Sequence, residues 1–407
     1  MTFDVAALRE HFPSLESGIA HFDGPGGTQT PREVGEAIAR TLTGPLSNRG
    51  TRVASERAAT DAVAAFRSAY SDLLGVPADG VVHGRSATAL TYDFSRALAK
   101  TWQRGDEVVV SRLDHDANVR PWIQAAEAVG ATVRWMDIDP GTGELDWASV
   151  ETAITPRTRL VAVTAASNIL GTKPPVRRVA DAAHAVGALL YVDGVHFAAH
   201  ELVDVPALGA DLFVCSPYKF LGPHCGVLAA SPHLLETIHN DKLLPSTNVV
   251  PERFELGTLP YEMLAGATAA VDFLAAIAPG DATERRGRLR ASYDAIHAHE
   301  ERLLRRLEDG LAKLGDDVVV HSRAERRTPT LFLTLPGRRT AQASEFLAAR
   351  DVLAPAGSFY AIEPFRRLAL DDEGGLRLGL APYVDDSDVD RVLDGLGAFL
   401  DATPRSA

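Results

Sequence analysis

Short apolar runs separated by helical segments constrain this chain more than any other feature. Residues 81–82, 107–111, 132–136, 160–164, 189–192 and 212–214 are apolar without alternation, and helix-periodic stretches such as 87–102 and 119–129 lie between them. Strands apolar on both sides need cover on both faces, and intervening helices supply it. The pattern therefore predicts an α/β fold built on a mostly parallel sheet of the seven-stranded type. Ligands of such sheets bind beyond the carboxyl ends of the strands. Residues just after these runs are thus the candidates for chemistry.

The pattern changes after Pro279, where a long charged helix over 282–314 leads to short strands at 318–320, 330–334 and 376–380, with helices at 341–350 and 387–400. That order reads as a smaller α+β domain. The expected division is an N-terminal arm over 1–20 packed with the small domain, a large ligand-binding domain over 21–278, and the small domain over 279–407. A chain of 407 residues has room for both. The stretch HFDGPGGTQTP at 21–31 holds too many glycines and prolines for a regular element, so it is read as a loop where backbone closely approaches something.

A formal net charge of -13 gives a nucleic-acid role no electrostatic footprint. The basic cluster at 284–290 is followed by acidic residues at helical spacing and reads as a solvated helix face. The most apolar helix, over 261–278, carries Glu262 and Asp272, so a buried helix is expected rather than a membrane span. Two cysteines make neither a disulfide framework nor a zinc site, and the first residues lack a basic start followed by an apolar core, so the cytoplasm is the expected compartment.

The chemistry centres on Asp193, at the end of one apolar run, and Lys219, just after the next. A carboxylate and a lysine at successive strand ends suit pyridoxal 5'-phosphate (PLP). That cofactor needs an amine for a Schiff base, an acid beside its ring nitrogen and donors for its phosphate. Four clusters follow other runs. Residues 84–88 (GRSAT) form a strand-to-helix turn that either binds phosphate through the helix start and the Ser86 or Thr88 hydroxyl, or is an ordinary cap. His115, between Asp114 and Asp116, is placed to stack on an aromatic ring and move a proton. Asn168 is placed to donate to the cofactor's phenolic oxygen, and His196 to reach the same atom. A metal at Asp114 and Asp116 lacks further ligands, and His196 with His200 lacks the H-E-x-x-H glutamate, so no metal is expected.

Taken together, DGVH at 193–196, SPYK at 216–219 followed by Gly222-Pro223, His115 with Ala117-Asn118, and SNILGT at 167–172 resemble the class V aminotransferase family of fold-type I PLP enzymes. Within it the likeness is strongest to cysteine desulfurases and selenocysteine lyases, and weaker to isopenicillin N epimerase and kynureninase. The resemblance implies that Lys219 carries the cofactor, Asp193 partners the pyridinium, His115 stacks on the ring, and Asn168 and His196 flank the phenolic oxygen. It also implies that Ala87, Thr88 and Ser216 hold the phosphate. Arg377 is implied to bind the substrate carboxylate, and Asn48 to sit on a substrate-binding loop. RFELGT at 253–258 resembles the segment by which a second subunit reaches the phosphate, so Thr258 implies a homodimer with shared sites.

The departures bear on the reaction. Desulfurases of this family carry a nucleophilic cysteine on a loop shortly before the carboxylate arginine, and here residues 354–360 read APAGSFY. Cys215 and Cys225 are read as packing residues. Tyr218 stands where desulfurases have a histidine, and His196 where they have glutamine. The leading expectation is a PLP enzyme acting on an α-amino acid as a desulfurase-like lyase without the loop cysteine. The alternatives are an aminotransferase, an epimerase, or a catalytically silent scaffold. A hydrolase would need a G-x-S-x-G elbow, which is not found.

Overall fold

In the computed structural model, which describes residues 3–278, 280, 282–370 and 374–405, a seven-stranded sheet positions everything that follows. Its strands are β1 (Val81–Gly84), β2 (Glu107–Ser111), β3 (Thr132–Met136), β4 (Thr158–Thr164), β5 (Leu189–Asp193), β6 (Leu212–Cys215) and β7 (Gly226–Ala230). They lie in the order β1-β7-β6-β5-β4-β2-β3, and β7 runs antiparallel to both its neighbours while the other pairs are parallel. The sequence reading found the other six strands and missed β7.

Alternate side chains of these strands enter two separate cores, as the two-residue repeat of a strand requires. Val109, Val161, Val163, Leu190, Val192, Phe213 and Val227 pack into one. Val108, Val110, Leu160, Ala162, Tyr191, Leu212, Val214 and Leu228 pack into the other. Each such large apolar side chain contributes about 1.5–3 kcal/mol on burial. Tyr191 brings a polar group into its core, and the buried hydroxyl finds Thr91 Oγ1 at 2.9 Å.

A second sheet has four antiparallel strands, β8 (Val319–Val320), β9 (Thr330–Thr334), β10 (Ala356–Gly357) and β11 (Gly375–Gly379), in the order β10-β11-β9-β8. The long helix Arg285–Ala312 and the final helix Asp386–Ala402 accompany it, the latter started by a capping box between Asp385 and Asp388. Pro279, at the expected domain boundary, lies outside the described residues.

The N-terminal arm is tied to the last helix: Arg9 meets Asp388 at 2.7 Å, and the Phe12 ring packs 5.2 Å from that of Tyr383. Just beyond it, Ala20–His21 pairs in parallel with Val352–Leu353. The following loop, from Asp23 to Thr28, runs between the two sheets. A side chain at Gly24 would meet Leu380 O at 2.8 Å, and one at Gly27 would meet the Tyr218 ring at 3.2 Å, so the backbone of this loop is wedged.

Among the described residues no helix is long and apolar enough to cross a membrane.

Candidate active site

A cavity of about 610 Å³ opens at the carboxyl ends of the parallel strands. Lys219, Asp193, His115, Asn168, His196, Ser216, Ala87, Thr88 and Arg377 all line it, so the structure gathers nine of the sequence-derived site residues into one space. Asn48 and Thr258 are exposed and are not part of its wall.

Each group arrives by a short route. Asp193 ends β5, and its Oδ1 accepts the Val195 N–H at 2.9 Å. Burial pushes its carboxyl up to about 6, against the pull of that N–H and of Lys219. Lys219 sits in a tight turn after β6 and donates to the carbonyl of Pro25. Burial first, and then the Arg377 charge, lower its ammonium to about 7. The amine is therefore substantially neutral at physiological pH, as a nucleophile or base requires.

At the start of α1 (Ala87–Ala99), residues of the 84–88 stretch both cap the helix and line the cavity. Ser86 Oγ caps the helix by accepting the Ala89 N–H at 3.1 Å, and Ser86, Ala87 and Thr88 also line the cavity. The free N–H groups of the first turn thus face a ligand space while a side chain satisfies another. Gly226 permits this approach: a Cβ there would lie 2.4 Å from Ser86 C and 2.6 Å from Ala87 N.

His115 is the residue before a short turn, and its Nδ1 accepts the Ala117 N–H at 3.0 Å. Burial, aided by the Lys219 and Arg377 charges, lowers it to about 4, so it is a neutral ring. Its loop is anchored by a buried network, where the sequence reading weighed Asp114 and Asp116 as a helix cap or a two-carboxylate metal site. Asp114 takes hydrogen bonds from Ser111 and, at 2.7 Å, from Asn118 Nδ2, while Asn118 Oδ1 accepts Trp122 Nε1–H at 3.0 Å. Burial holds the Asp114 carboxyl up at about 8.

On the opposite side, Arg377 projects from β11, 3% exposed, with its guanidinium carbon 3.8 Å from the centre of the Phe359 ring and Nη1 donating to Asn168 O at 3.1 Å. No described carboxylate forms an ion pair with it. Asn168 Nδ2 donates to Phe359 O at 3.0 Å. Phe359 and Tyr360 are consecutive residues in the left-handed region, with φ of 53° and 57°. Non-glycine residues adopt it at a cost of about 1–2 kcal/mol each. Hydrogen bonds from Asn168 and from the Asp116 N–H (2.8 Å to Tyr360 O) hold them there. Pro25, Gly26, Tyr92 and Arg120 are also in the wall, and of these four only the glycine-rich loop was signalled by sequence.

His196 and His200 turn to separate partners. His200 Nδ1 faces Glu300 Oε2 at 2.8 Å, both buried, and His196 Nε2 faces two threonine hydroxyls. Three buried polar atoms of the cavity residues have no partner among the described residues: Asn168 Oδ1, His196 Nδ1 and Arg377 Nε. A carboxylate, a lysine, a neutral stacking ring, a helix start and an unpaired guanidinium with orphaned polar atoms around them fit PLP together with an amino acid.

Residues 20–392 match the family described as aminotransferase class-V. The chain belongs to this family. It is a class-V aminotransferase of the cysteine desulfurase-like branch, a PLP-dependent enzyme with the fold-type I architecture. A probable cysteine desulfurase from Pseudomonas aeruginosa is 30% identical, covering 97% of this chain and 98% of its own. An aminotransferase-like protein from Gibberella zeae is also 30% identical, covering 98% and 99%. The crystal structure of a cysteine desulfurase from Escherichia coli superposes with a TM-score of 0.86 at 26% identity, covering 99% of this chain and all of that one.

Both cysteines of this class-V chain are buried. Cys215 ends β6 and Cys225 lies just before β7, packed in the core, and neither lines the cavity. Burial raises both thiols, Cys225 to about 12, so neither is a thiolate at neutral pH.

Proposed function

We propose that this enzyme carries PLP on Lys219 and acts on an α-amino acid as a cysteine desulfurase-like lyase that forms no persulfide on the protein. One observation carries the reading: Lys219, Asp193, His115, Asn168, His196 and Arg377 line a single cavity, and no thiol does.

When bound, the cofactor supplies an electron sink for negative charge at the substrate α-carbon. Asp193 keeps the ring nitrogen protonated, and a cation beside it draws its raised pKa back down. The first N–H groups of α1, at Ala87 and Thr88, hold the phosphate with Ser216. His115 covers one face of the ring. Arg377 takes the substrate carboxylate in the planar two-point geometry its guanidinium offers. Lys219, with a pKa near neutrality, accepts the α-proton. Breaking the substrate Cβ–S bond would leave the electron pair on sulfur, which would depart as hydrosulfide to solvent rather than to the enzyme, because residues 354–360 (APAGSFY) offer no cysteine.

The same reading makes the enzyme a homodimer in which Thr258 of each chain reaches the other's phosphate. In its support, Thr258 is exposed, and Leu42, Val53, Leu243, Leu244, Val249 and Leu256 expose 54–98% of their surface on two segments joined by the Arg49–Glu252 ion pair at 2.6 Å. Clustered exposed apolar side chains mark an interaction surface. It also divides the chain into an arm over 1–20, a cofactor domain over 21–278 and a small domain over 279–407, the seven-stranded sheet lying within the cofactor domain and the four-stranded sheet within the small one.

The test is a panel of amino acids, assayed for sulfide, ammonia, keto acid and D-enantiomer. Sulfide from cysteine by Cys215→Ser/Cys225→Ser is expected; keto acid only with an added acceptor shows transamination instead, and D-enantiomer shows epimerisation. The purified protein should absorb in the visible with PLP, and Lys219→Ala should abolish that band. An unchanged band in Lys219→Ala defeats the cofactor assignment. Sedimentation of the coloured protein as a monomer defeats the dimer.

A further inference from the structure

His196 is held differently through its two nitrogens. Nε2 lies 2.9 Å from Thr328 Oγ1 and 3.0 Å from Thr330 Oγ1, whereas Nδ1 is buried without a protein partner in a ring that lines the cavity. The nature of the first contact matters. A carboxylate or carbonyl would oblige Nε2 to carry a hydrogen, while a hydroxyl can give or take one. His200 shows the other case 5.0 Å away, with Nδ1 facing the carboxylate of Glu300.

Counting protons favours one tautomer. Each threonine brings one hydroxyl hydrogen, and apart from Nε2 the acceptors in reach among the described residues are distant: Gly171 O is 3.4 Å from Thr328 Oγ1, and the two hydroxyls are 3.4 Å apart. If Nε2 carried a hydrogen, both hydroxyl protons would be left to these long contacts. If Nε2 is bare, Thr330 donates to it at 3.0 Å and Thr328 turns to Gly171 O. The neutral imidazole then carries its hydrogen on Nδ1, where a ligand acceptor adds a further bond.

We infer that Thr328 and Thr330 are positioning residues that keep His196 as an Nδ1–H donor into the cavity, directed at an anionic oxygen of the bound ligand. This rests on the PLP reading above, in which that oxygen is the cofactor's phenolic oxygen. The ring stays neutral because burial, and then the charges of His200, Lys219 and Arg377, push its pKa well below the ordinary histidine value. Thr330 opens β9, next to the strand that carries Arg377, and Thr328 lies two residues before it. The four-stranded sheet and the segment leading into it therefore supply both the carboxylate receptor and the support of the cofactor-side histidine.

Spectra of the holoenzyme labelled with ¹⁵N-histidine, with the resonances assigned through His196→Gln, read the tautomer directly. The expected result is a protonated Nδ1 and a bare, hydrogen-bonded Nε2; a protonated Nε2 in the coloured holoenzyme overturns the inference and leaves the cofactor reading standing. A second readout is the pH midpoint of the bound cofactor's visible absorbance. In Thr328→Val/Thr330→Val the phenolic oxygen loses an aligned donor and holds its proton more tightly. The midpoint should rise by about one pH unit, a tenfold change in proton affinity. Thr330→Ser should restore the wild-type midpoint where Thr330→Val alone raises it. A midpoint unmoved in all the valine variants overturns the inference, and the single variants carry the test if the double one does not fold. Failure to bind PLP at all sinks the parent reading and this inference with it.

Discussion

Replacing Arg377 with methionine should leave the protein about as stable while removing its grip on amino acids. The guanidinium is 3% exposed, has no described carboxylate within ion-pair distance, and burial pushes its pKa down to about 9. At about 1.36 kcal/mol per pH unit, holding that charge in the folded protein costs roughly 4–5 kcal/mol. Against this stand one hydrogen bond to Asn168 O, about 1.5–3 kcal/mol, and the contact with the Phe359 ring, about 2 kcal/mol. Arg377→Met, of similar length and uncharged, should therefore change stability by no more than about 1 kcal/mol in the unfavourable direction and about 1.5 kcal/mol in the favourable one. Breaking a structural buried ion pair would instead lose about 3–5 kcal/mol. The sign with pH follows. A base with a lowered folded pKa is charged in both states below about 9, so the penalty is complete at pH 7 and fades as pH rises beyond 9. The stability of Arg377→Met relative to wild type should fall with it. Affinity for α-amino acids, followed by the change in cofactor absorbance, should fall by about 10²–10⁴-fold, the value of two charge-assisted bonds. Calorimetry of the cofactor-free protein avoids ligand stabilisation. A loss of 3 kcal/mol or more, or undiminished affinity, would refute the assignment of Arg377 as a carboxylate receptor.

Lys219 gives a second pH signature. With its folded pKa lowered to about 7, the unfolded chain binds more protons above that pH, so the cofactor-free protein should gain stability as pH rises from about 7 toward the ordinary lysine range; urea midpoints at pH 6.5 and 9 should diverge in wild type and converge in Lys219→Met. Gly226→Ala, with its Cβ driven to within 2.4–2.6 Å of the Ser86–Ala87 backbone, should cost about 1–3 kcal/mol and weaken PLP binding at least tenfold; equilibrium dialysis showing wild-type affinity would contradict the cradle assignment. Glu300→Ala strands the buried His200 and should lower stability by about 3–5 kcal/mol in urea unfolding, whereas Glu10→Ala, on the exposed surface, should not.

Most of the strands that the sequence revealed are buried on both faces, because continuous apolar runs between helices allow few other interpretations. Strand β7 escaped because Gly226, Ala229 and Ala230 dilute its β character, and because an antiparallel neighbour needs no crossover helix to announce it. The helix Ile362–Arg367 escaped for a different reason, having six residues and a proline among them. Site residues that do chemistry were legible because lysine, aspartate, histidine and arginine stand out after apolar runs. Their supports were not: Thr328 and Thr330 are ordinary polar residues whose contact with His196 spans 132 and 134 positions. Asp114 looked like a cap, and only burial reveals it as the centre of a network.

The loop from Asp23 to Thr28 has a consequence for the order in which the molecule is made. Its Pro25 carbonyl waits for Lys219, 194 positions later, and the backbone at Phe22 receives the Gly379 N–H at 2.9 Å. Domains emerging during synthesis fold from the N-terminus onward, and contacts so remote in sequence form last. The seven-stranded sheet ends at Ala230 and has its strands in hand long before then. The cavity does not. Its first-made wall stays unsupported until nearly the whole chain has left the ribosome, so a nascent chain stopped before residue 375 has the sheet without the site.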